Sequence, residues 1–311
     1  MGTVLSVSEL KKVYEIRRSP FSLTKEIIRA VDGVSFELEQ GQTLGLVGES
    51  GCGKSTVAKC IMMLEKPDDG SILFMGRDWV RMPEQERKGL RRQMQIIFQD
   101  PFSSLNPRKR VLDTVAEPLV THHMVEKEGL AARALEVLKS VGLDEDFLKK
   151  YPHEMSGGQR QRVAIGRALA TSPSFIVADE PVSSLDVSVQ AQIINLFLDI
   201  REQFKISMLF ISHDLNIVRF ISDRIMVMYR GKVVEIGEKE ELFSHPLHPY
   251  TRLLMHASNT VQIEGEGEGA PLKDCCLFLE RCSERKGVCE NDVPALRGPA
   301  NHRVACFLCP E

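Results

Sequence analysis

A glycine-rich loop constrains this chain more than any other feature of its sequence. The loop follows the apolar run Leu44–Val47 and fits the pattern G-x-x-x-x-G-K-[ST]. Glycines let backbone N–H groups curl around phosphate oxygens, and a helix beginning near Lys54 would direct its positive end at the same phosphates. We therefore predict that Lys54 neutralises the β- and γ-phosphates of a nucleotide and that Ser55 ligates Mg²⁺. The loop residues are Gly48, Glu49, Ser50, Gly51, Cys52, Gly53, Lys54, Ser55 and Thr56.

A second apolar run ends in two carboxylates. Phe175–Ala178 has the length and composition of a buried strand, and Asp179 and Glu180 follow it directly. Open α/β sheets bind their ligands at the carboxyl ends of strands. Taken alone, such a pair would more often cap a helix or face solvent. Because the phosphate loop is also present, we predict that Asp179 holds Mg²⁺ and that Glu180 polarises the attacking water, an effect of about 10²–10⁴-fold.

The rest of the chain alternates short apolar runs with amphipathic segments, which predicts an α/β fold with an open sheet. Apolar residues at spacings of three or four indicate two helices, and Gly142 is placed to end the first of them. The remaining predicted elements are strands at Met94–Phe98 and Met208–Ile211, helices at Leu130–Val141 and Val189–Phe204, and a hairpin of Arg224–Tyr229 and Lys232–Ile236 that turns at Arg230 and Gly231.

Composition narrows the class of protein. The chain has 311 residues with Lys+Arg 40 and Asp+Glu 43, a formal net charge of −3, which gives no general attraction to nucleic acid or anionic lipid. No apolar run approaches the roughly 18 residues of a membrane span. The first residues lack the order of a secretory signal. We expect an intracellular, water-soluble protein of two domains, or of one large domain with an appendage.

The eight cysteines are unevenly distributed. Cys52 and Cys60 lie early in the chain, and the other six lie between Cys275 and Cys309, after a low-complexity stretch at 264–269 that we interpret as a linker. Intracellular thiols are normally reduced, so this grouping favours metal binding over disulfides. We expect Cys52 to be a passive loop residue, although a helix N-terminus beside it could lower the pKa of its thiol.

A third motif lies between the phosphate loop and the acidic strand. It consists of Ser156, Gly157, Gly158 and Gln159, a combination in which a serine N-cap and two glycines open a helix whose N-terminus can face an anion. In this order and position, the motif closely resembles the signature of ATP-binding-cassette (ABC) ATPases. The resemblance implies a RecA-like P-loop NTPase core with a helical signature subdomain.

Further residues match ABC landmarks in their order along the chain. The resemblance implies that Gln99 contacts Mg²⁺ and the attacking water, and that His213 contacts the γ-phosphate. It also implies that Ser184-Leu185-Asp186 contacts the second ATPase of a dimer, with Asp186 near the nucleotide. Tyr14 is the residue that would stack on adenine, and Phe21 is the next choice.

A narrower resemblance, to the ATPases of oligopeptide, dipeptide and nickel importers, rests on Asp100–Arg108, Tyr151–Glu154 and His248–Arg252. It implies an ATPase domain at 1–245, with the helical subdomain at about 100–160, and a cysteine-rich C-terminal extension at 246–311. In this family two ATPase subunits sandwich two ATP molecules, each between one phosphate loop and the partner's signature motif.

The implied function is ATP hydrolysis that powers peptide import, at the cytoplasmic side of the membrane and peripheral to it. The implied partners are two integral membrane permease subunits, a second copy or a paralogous ATPase, and, indirectly, an extracytoplasmic peptide-binding protein; no nucleic acid is expected. Two alternatives remain: a soluble ABC ATPase acting on ribosomes or DNA, and an assembly ATPase resembling that of the carbon–phosphorus lyase complex. The single cassette, the lack of sustained heptads and the cysteine tail favour the importer.

The tail pattern Cys276-x5-Cys282-x6-Cys289-x16-Cys306 resembles that of the importer family, where four such cysteines are associated in some members with a [4Fe–4S] cluster. Four thiolates are the ligand set that such a cluster needs. The resemblance therefore implies these four cysteines as cluster ligands.

Two other interpretations of the tail remain open. A structural Zn²⁺ site prefers closely spaced cysteine pairs, and only Cys306 and Cys309 have that spacing, with His302 and His256 as possible further ligands. The thiols could also bind no metal. Cys275 and Cys309 are extra thiols that could replace one of the four.

Overall fold

A computed structural model describes residues 2–17, 25–100, 104–257 and 275–309 of the chain. The expected linker at 264–269 and the alternative adenine-stacking residue Phe21 lie outside these residues. The described residues form two compact units. The first unit comprises the residues before Ser6, Glu37–Thr43 and Leu73–Ile211, and the second comprises Ser6–Phe36, Leu44–Ile72 and the residues from Ser212 onward.

Several strands coincide with apolar runs of the sequence, whereas the short strand Arg77–Asp78 consists of two charged residues. Within the described residues they are β1 (Thr3–Arg17), β2 (Lys25–Glu39), β3 (Thr43–Val47), β4 (Asp69–Phe74), β5 (Arg77–Asp78), β6 (Met94–Ile97), β7 (Phe175–Asp179), β8 (Ser207–Ile211), β9 (Arg224–Tyr229), β10 (Lys232–Glu238) and β11 (His302–Val304).

Most helices bury residues of one face, whereas the polar helix Glu84–Arg91 buries none of its residues. Within the described residues the α-helices are α1 (Lys54–Ile61), α2 (Glu84–Arg91), α3 (Val111–Thr121), α4 (Leu130–Ser140), α5 (Gly157–Leu169), α6 (Val187–Phe204), α7 (Leu215–Ile221), α8 (Lys239–Ser244) and α9 (Pro249–Ala257). Over the same part of the chain, none of the helices combines the length and the apolar character that crossing a bilayer requires.

The first unit contains a parallel sheet segment in the order β6, β7, β8. Every residue of β7 and β8 is buried, as expected for strands covered on both faces. The register pairs Ile97 with Ala178 and Asp179 with Ile211, so the carboxyl ends of the three strands lie at one edge. Helices α3, α4 and α5 pack on one another in this unit. Its predicted strands are confirmed, although β6 ends one residue before Phe98.

The second unit contains the predicted hairpin. Strands β9 and β10 pair antiparallel around Arg230 and Gly231, both of which have positive φ, as two-residue hairpin turns require. Strand β9 also pairs with β3 in parallel, and β11 pairs with β10 antiparallel. The C-terminal segment therefore adds a strand to the sheet that leads into the phosphate loop.

The two predicted amphipathic helices are also confirmed. The segment predicted from Leu130 to Val141 is α4, and Gly142 follows its C-cap with a φ of +72°, the left-handed conformation that ends a helix. The second segment is α6, whose buried face includes Ile193, Phe197 and Ile200. A separate four-stranded sheet has the order β2, β1, β4, β5.

Candidate functional site

The phosphate loop connects β3 to α1 in the second unit. Strand β3 is wholly buried, and α1 begins at Lys54 directly after Gly53, which has a φ of 109°. A side chain at Gly53 would collide with the carbonyl oxygen of Ala30, and one at Gly48 with that of Met228. The two motif glycines are thus required both by conformation and by the close approach of neighbouring backbone.

Lys54 is buried within this loop, with only 5% of its surface exposed. Its Nζ donates hydrogen bonds to the carbonyl oxygens of Gly48 at 2.8 Å and Glu49 at 2.9 Å. The loop backbone therefore surrounds the ammonium group and fixes its position. Ser55 and Thr56 follow in the first turn of α1.

Cys52 lies inside the phosphate loop. Its side chain is buried, and this burial raises the pKa of its thiol above the ordinary value even though Lys54 acts in the opposite direction. The helix N-terminus therefore does not lower this pKa, because loss of hydration outweighs the positive charge nearby. The thiol is a packing group of the loop and not a reactive one.

Tyr14 lies on β1 in the same unit as the loop. Its hydroxyl donates a hydrogen bond to Glu65 and also interacts with the side chain of Thr56, the last residue of the loop motif. Burial and the contact with Glu65 raise the pKa of Tyr14 to about 12. The ammonium of Lys12 lies 5.6 Å from the ring centroid. The structure thus brings the predicted adenine-stacking residue next to α1.

The carboxylates lie at the carboxyl end of β7 in the first unit. Asp179 is buried as the last residue of the strand. Glu180 follows in the left-handed region with a φ of 48°, and its N–H donates to the carbonyl of Ile211 at 3.0 Å. Such a conformation in a non-glycine residue costs on the order of 1–3 kcal/mol and is concentrated at functional sites.

Gln99 reaches this carboxylate from the loop that follows β6. Its Nε2 donates a hydrogen bond to Oε2 of Glu180 at 3.1 Å, across 81 residues of sequence. Two of the three residues predicted to be catalytic are therefore in direct contact. The third, His213, lies exposed between β8 and α7, in the second unit, and Asp214 beside it caps α7.

The signature motif forms the N-terminus of α5. Ser156 Oγ accepts the N–H of Gln159 at 3.3 Å, and Gln159 Oε1 accepts the N–H of Ser156 at 3.0 Å, a complete capping box. The predicted serine N-cap is confirmed. Gly158 lies against Val189 in the first turn of α6, since a side chain at Gly158 would come within 2.6 Å of the Val189 methyl. The N-termini of α5 and α6 are therefore adjacent.

The cap of α6 is Asp186. Its Oδ1 accepts hydrogen bonds from the Ser188 hydroxyl at 2.6 Å and from the Val189 N–H at 3.0 Å. These bonds, that from Ser188 first, lower the pKa of Asp186, which is exposed. Gly157 lies beside Leu185 of the same segment. The signature motif and the predicted dimer-contacting segment thus form one continuous surface.

The four cysteines predicted as cluster ligands line one cavity in the second unit. Cys276, Cys282, Cys289 and Cys306 line a cavity of about 10 Å³, roughly the space of one water molecule. The N–H of Cys276 donates to the carbonyl of Cys289 at 2.9 Å, which joins the start of the cysteine-rich segment to its middle. Burial raises the pKa of Cys276 and raises that of Cys306 to about 11.

The alternative ligands lie elsewhere. Cys275 Sγ contacts the carbonyl of Cys276, Cys309 Sγ contacts that of Leu247, and neither lines the cavity. His302 Nε2 lies 2.7 Å from the buried Glu235 carboxylate. Across the part of the chain that the structure describes, no group of three or more His, Cys, Asp or Glu residues is arranged to hold a metal ion. No disulfide joins any cysteine in that part.

One contact of the phosphate loop was not anticipated from the sequence. Arg281, next to Cys282, forms a bidentate ion pair with Glu49, with N···O distances of 2.7 and 2.8 Å. Tyr250 Oη accepts the backbone N–H of Glu49 at 2.9 Å. Glu49 occupies an unspecified position of the loop motif, and Arg281 lies 232 residues away, so no local pattern points to the pair.

Comparison with known proteins agrees with this arrangement. The ABC transporter family model matches residues 31–183, and the model of the oligopeptide/dipeptide transporter C-terminal region matches residues 234–289. The oligopeptide transport ATP-binding protein AppF of Bacillus subtilis is 46% identical, over 98% of this chain and 97% of AppF. The chain belongs to the ABC transporter family. This ABC protein is also 42% identical to the dipeptide transport ATP-binding protein DppF of Escherichia coli, over 98% of the chain and 94% of DppF.

Solved structures of ABC cassettes share its fold. The dimeric post-hydrolysis state of the ATP-binding cassette MJ0796 bound to ADP and Pi matches with a TM-score of 0.66 and 31% identity, over 76% of this chain and 98% of the cassette. CbiO1 from Clostridium perfringens matches with a TM-score of 0.67 and 27% identity, over 79% and 92%. The predicted P-loop NTPase fold is therefore confirmed. Family membership likewise confirms the prediction of an ATPase that binds ATP with Mg²⁺.

Proposed function

We propose that this chain hydrolyses ATP to power the import of di- and oligopeptides through an ABC transporter. The observation that supports this most is its 46% identity, over nearly its full length, to a protein named for oligopeptide transport. The match of residues 234–289 to the oligopeptide/dipeptide C-terminal region adds to it, because that region lies outside the cassette match. An assembly or ribosome-associated role has no comparable support.

We assign the chemistry to the residues predicted from the sequence. Lys54 would neutralise the β- and γ-phosphates, and the loop Gly48–Thr56 would bind them. Ser55, Gln99 and Asp179 carry hydroxyl, amide and carboxylate oxygens, the hard donors that suit Mg²⁺, and the bound ion would offset phosphate charge. Glu180 would polarise the attacking water, and the hydrogen bond from Gln99 supports this role because it orients the carboxylate. His213 would contact the γ-phosphate, and Tyr14 would stack on adenine.

We propose that the working form is a dimer with a second copy or a paralogous ATPase. Each nucleotide would lie between one chain's phosphate loop and the partner subunit's signature motif, with Ser156, Gly157, Gly158, Gln159 and Asp186 contributed across the interface. The exposed Ser156 and Asp186 support this, as does the dimeric state named for the MJ0796 cassette. We also propose an ATPase domain at residues 1–245, with a helical subdomain at about 100–160, and a cysteine-rich C-terminal extension at residues 246–311.

We further propose that the chain is peripheral to the membrane on its cytoplasmic side. Its partners there would be two integral membrane permease subunits, and an extracytoplasmic peptide-binding protein would deliver cargo to them. Fractionation of cells that express a tagged chain tests this. We expect recovery in membranes, with solubilised complexes that contain both permease subunits. Recovery with ribosomes or with a soluble enzyme complex would contradict the importer role.

For the cysteine cavity, we propose a [4Fe–4S] cluster bound by Cys276, Cys282, Cys289 and Cys306. A cavity walled by four thiols supports it, since the cluster takes one thiolate at each iron. A structural Zn²⁺ site prefers closely spaced cysteine pairs, and Cys309, which forms the one such pair with Cys306, does not line the cavity. The cluster would crosslink the tail.

Anaerobic purification followed by iron, sulfide and zinc analysis separates these alternatives. We expect iron and sulfide in equal amounts and visible absorption that disappears on substitution of any of the four cysteines by serine. Serine at Cys275 or Cys309 serves as the matched control and should leave the iron content unchanged. Zinc without iron, or neither metal, would contradict the cluster.

A further inference from the structure

An ion pair joins the cysteine-rich segment to the phosphate loop. Arg281 ends a short 3-10 turn, Leu279–Arg281, that lies between two of the cysteines lining the cavity. Its guanidinium binds both carboxylate oxygens of Glu49, the geometry in which an arginine–carboxylate pair is strongest. The side chains of Arg281 and Glu49 are 22% and 25% exposed, so water screens the pair only partly.

The guanidinium is held in place by aromatic rings as well. Its carbon lies 5.7 Å from the ring centroid of Tyr229 and 5.6 Å from that of Phe278. Phe278 also packs against Tyr250, with ring centroids 5.5 Å apart, and lines the cysteine cavity. Tyr229, Tyr250 and Phe278 therefore form one aromatic cluster. It contacts the guanidinium of Arg281, carries the Tyr250 hydroxyl that accepts the Glu49 N–H, and forms part of the cavity wall.

The charge of Glu49 makes this contact relevant to nucleotide binding. A carboxylate in a loop that binds a triphosphate repels its ligand, unless a cation offsets it. The hydrogen bonds of Lys54 Nζ go to the backbone carbonyls of Gly48 and Glu49 and to Cys52 Sγ, and not to this carboxylate. Arg281 supplies the bidentate counter-charge from the C-terminal segment.

We propose that Arg281 is a positioning residue for nucleotide binding: it neutralises and orients Glu49, and it thereby makes the affinity of the phosphate loop dependent on the cysteine-rich segment. The functional consequence is that the segment acts on ATP binding through charge as well as through its contribution to the fold. Removal of the guanidinium leaves the Glu49 carboxylate uncompensated beside bound phosphates.

A double-mutant cycle in nucleotide affinity tests the proposal. The probe is a fluorescent ATP analogue with Mg²⁺, titrated onto the purified full chain. We expect Arg281→Ala to weaken binding about fivefold or more, the lower end of typical coupling between sites. In the Glu49→Gln background the same substitution should have no effect, because no charge remains to be offset. Arg281→Lys, which keeps the charge, should recover part of the affinity.

Arg285→Ala is the matched control, since Arg285 lies in the same segment and is exposed. Circular dichroism and thermal unfolding of every variant report whether the fold is retained. A structural role alone would weaken binding in Arg281→Ala and in the double variant alike. Equal loss in the two, or unchanged affinity in a folded Arg281→Ala protein, would overturn the proposal. Restored affinity in the double variant supports it.

Discussion

The hydrogen bond between Gln99 and Glu180 allows a quantitative prediction about hydrolysis. Glu180 is held at its backbone by the carbonyl of Ile211, and its side chain receives a bond from Gln99 Nε2 at 3.1 Å. A hydrogen bond to a charged group is worth about 1.5–3 kcal/mol net, and we take the lower end because Gln99 is exposed. Since 1.4 kcal/mol corresponds to tenfold in rate, Gln99→Ala should lower kcat about tenfold.

The assay is phosphate release by the purified transporter complex at saturating ATP and Mg²⁺. Glu180→Gln alone should lower kcat by about 10²–10⁴-fold, because the general base is lost while the shape is kept. If Gln99 acts through Glu180, adding Gln99→Ala to that variant should change kcat by less than about twofold. Gln203→Ala, an exposed glutamine of α6, is the matched control.

The result that would refute this reasoning is a tenfold loss on Gln99→Ala in both backgrounds. Gln99 would then affect hydrolysis through its proposed contact with Mg²⁺ alone, and its hydrogen bond to Glu180 would have no part in catalysis. A Glu180→Gln protein that hydrolyses ATP at the wild-type rate would remove Glu180 from the role of base altogether.

Further predictions concern the loop and the C-terminal segment. Lys54→Ala should abolish high-affinity binding of a fluorescent ATP analogue without unfolding the protein. Gly53→Ala should lower the free energy of unfolding by more than the roughly 1–2 kcal/mol that a left-handed alanine costs, because its Cβ would meet the carbonyl of Ala30. Gly76 also has a positive φ but has open space around it, so Gly76→Ala should show the conformational cost alone. Chemical denaturation measures both changes. Burial lowers the pKa of His248 to about 4, and its Nδ1 accepts a backbone N–H. Between pH 6.5 and 4 the imidazole of His248 is protonated in the unfolded chain but not in the folded one. The thermal stability should therefore decrease as the pH is lowered from 6.5 to 4, and it should decrease less in His248→Gln.

Local patterns were sufficient for the elements and the motif positions. Strand β3, the loop at 48–56 and the start of α1 follow from residues within one short stretch of chain, and the serine N-cap of α5 follows from four residues. The hairpin of β9 and β10 was predictable for the same reason, since its turn residues lie between its strands. In each case the physical determinant is contained in the segment itself.

The features of the site that the sequence did not predict depend on packing between distant segments. Burial of Cys52 depends on distant elements, so the sequence alone did not decide the direction in which the pKa of its thiol is shifted. The separation of Cys275 and Cys309 from the cavity depends on side-chain direction, which spacing alone does not determine. The pair of Arg281 and Glu49 joins residues with no shared motif. Such contacts arise from the tertiary fold, so local sequence patterns do not predict them.

Peptide accumulation in proteoliposomes tests the central claim most directly. The vesicles would contain the complete complex, with the peptide-binding protein on the opposite side from ATP, and labelled dipeptide uptake would be followed with wild-type and Glu180→Gln chains. We predict uptake that requires ATP, ceases with Glu180→Gln and is unaffected by Gln203→Ala. ATP-independent uptake, or equal uptake by the wild-type and Glu180→Gln complexes, would contradict the account.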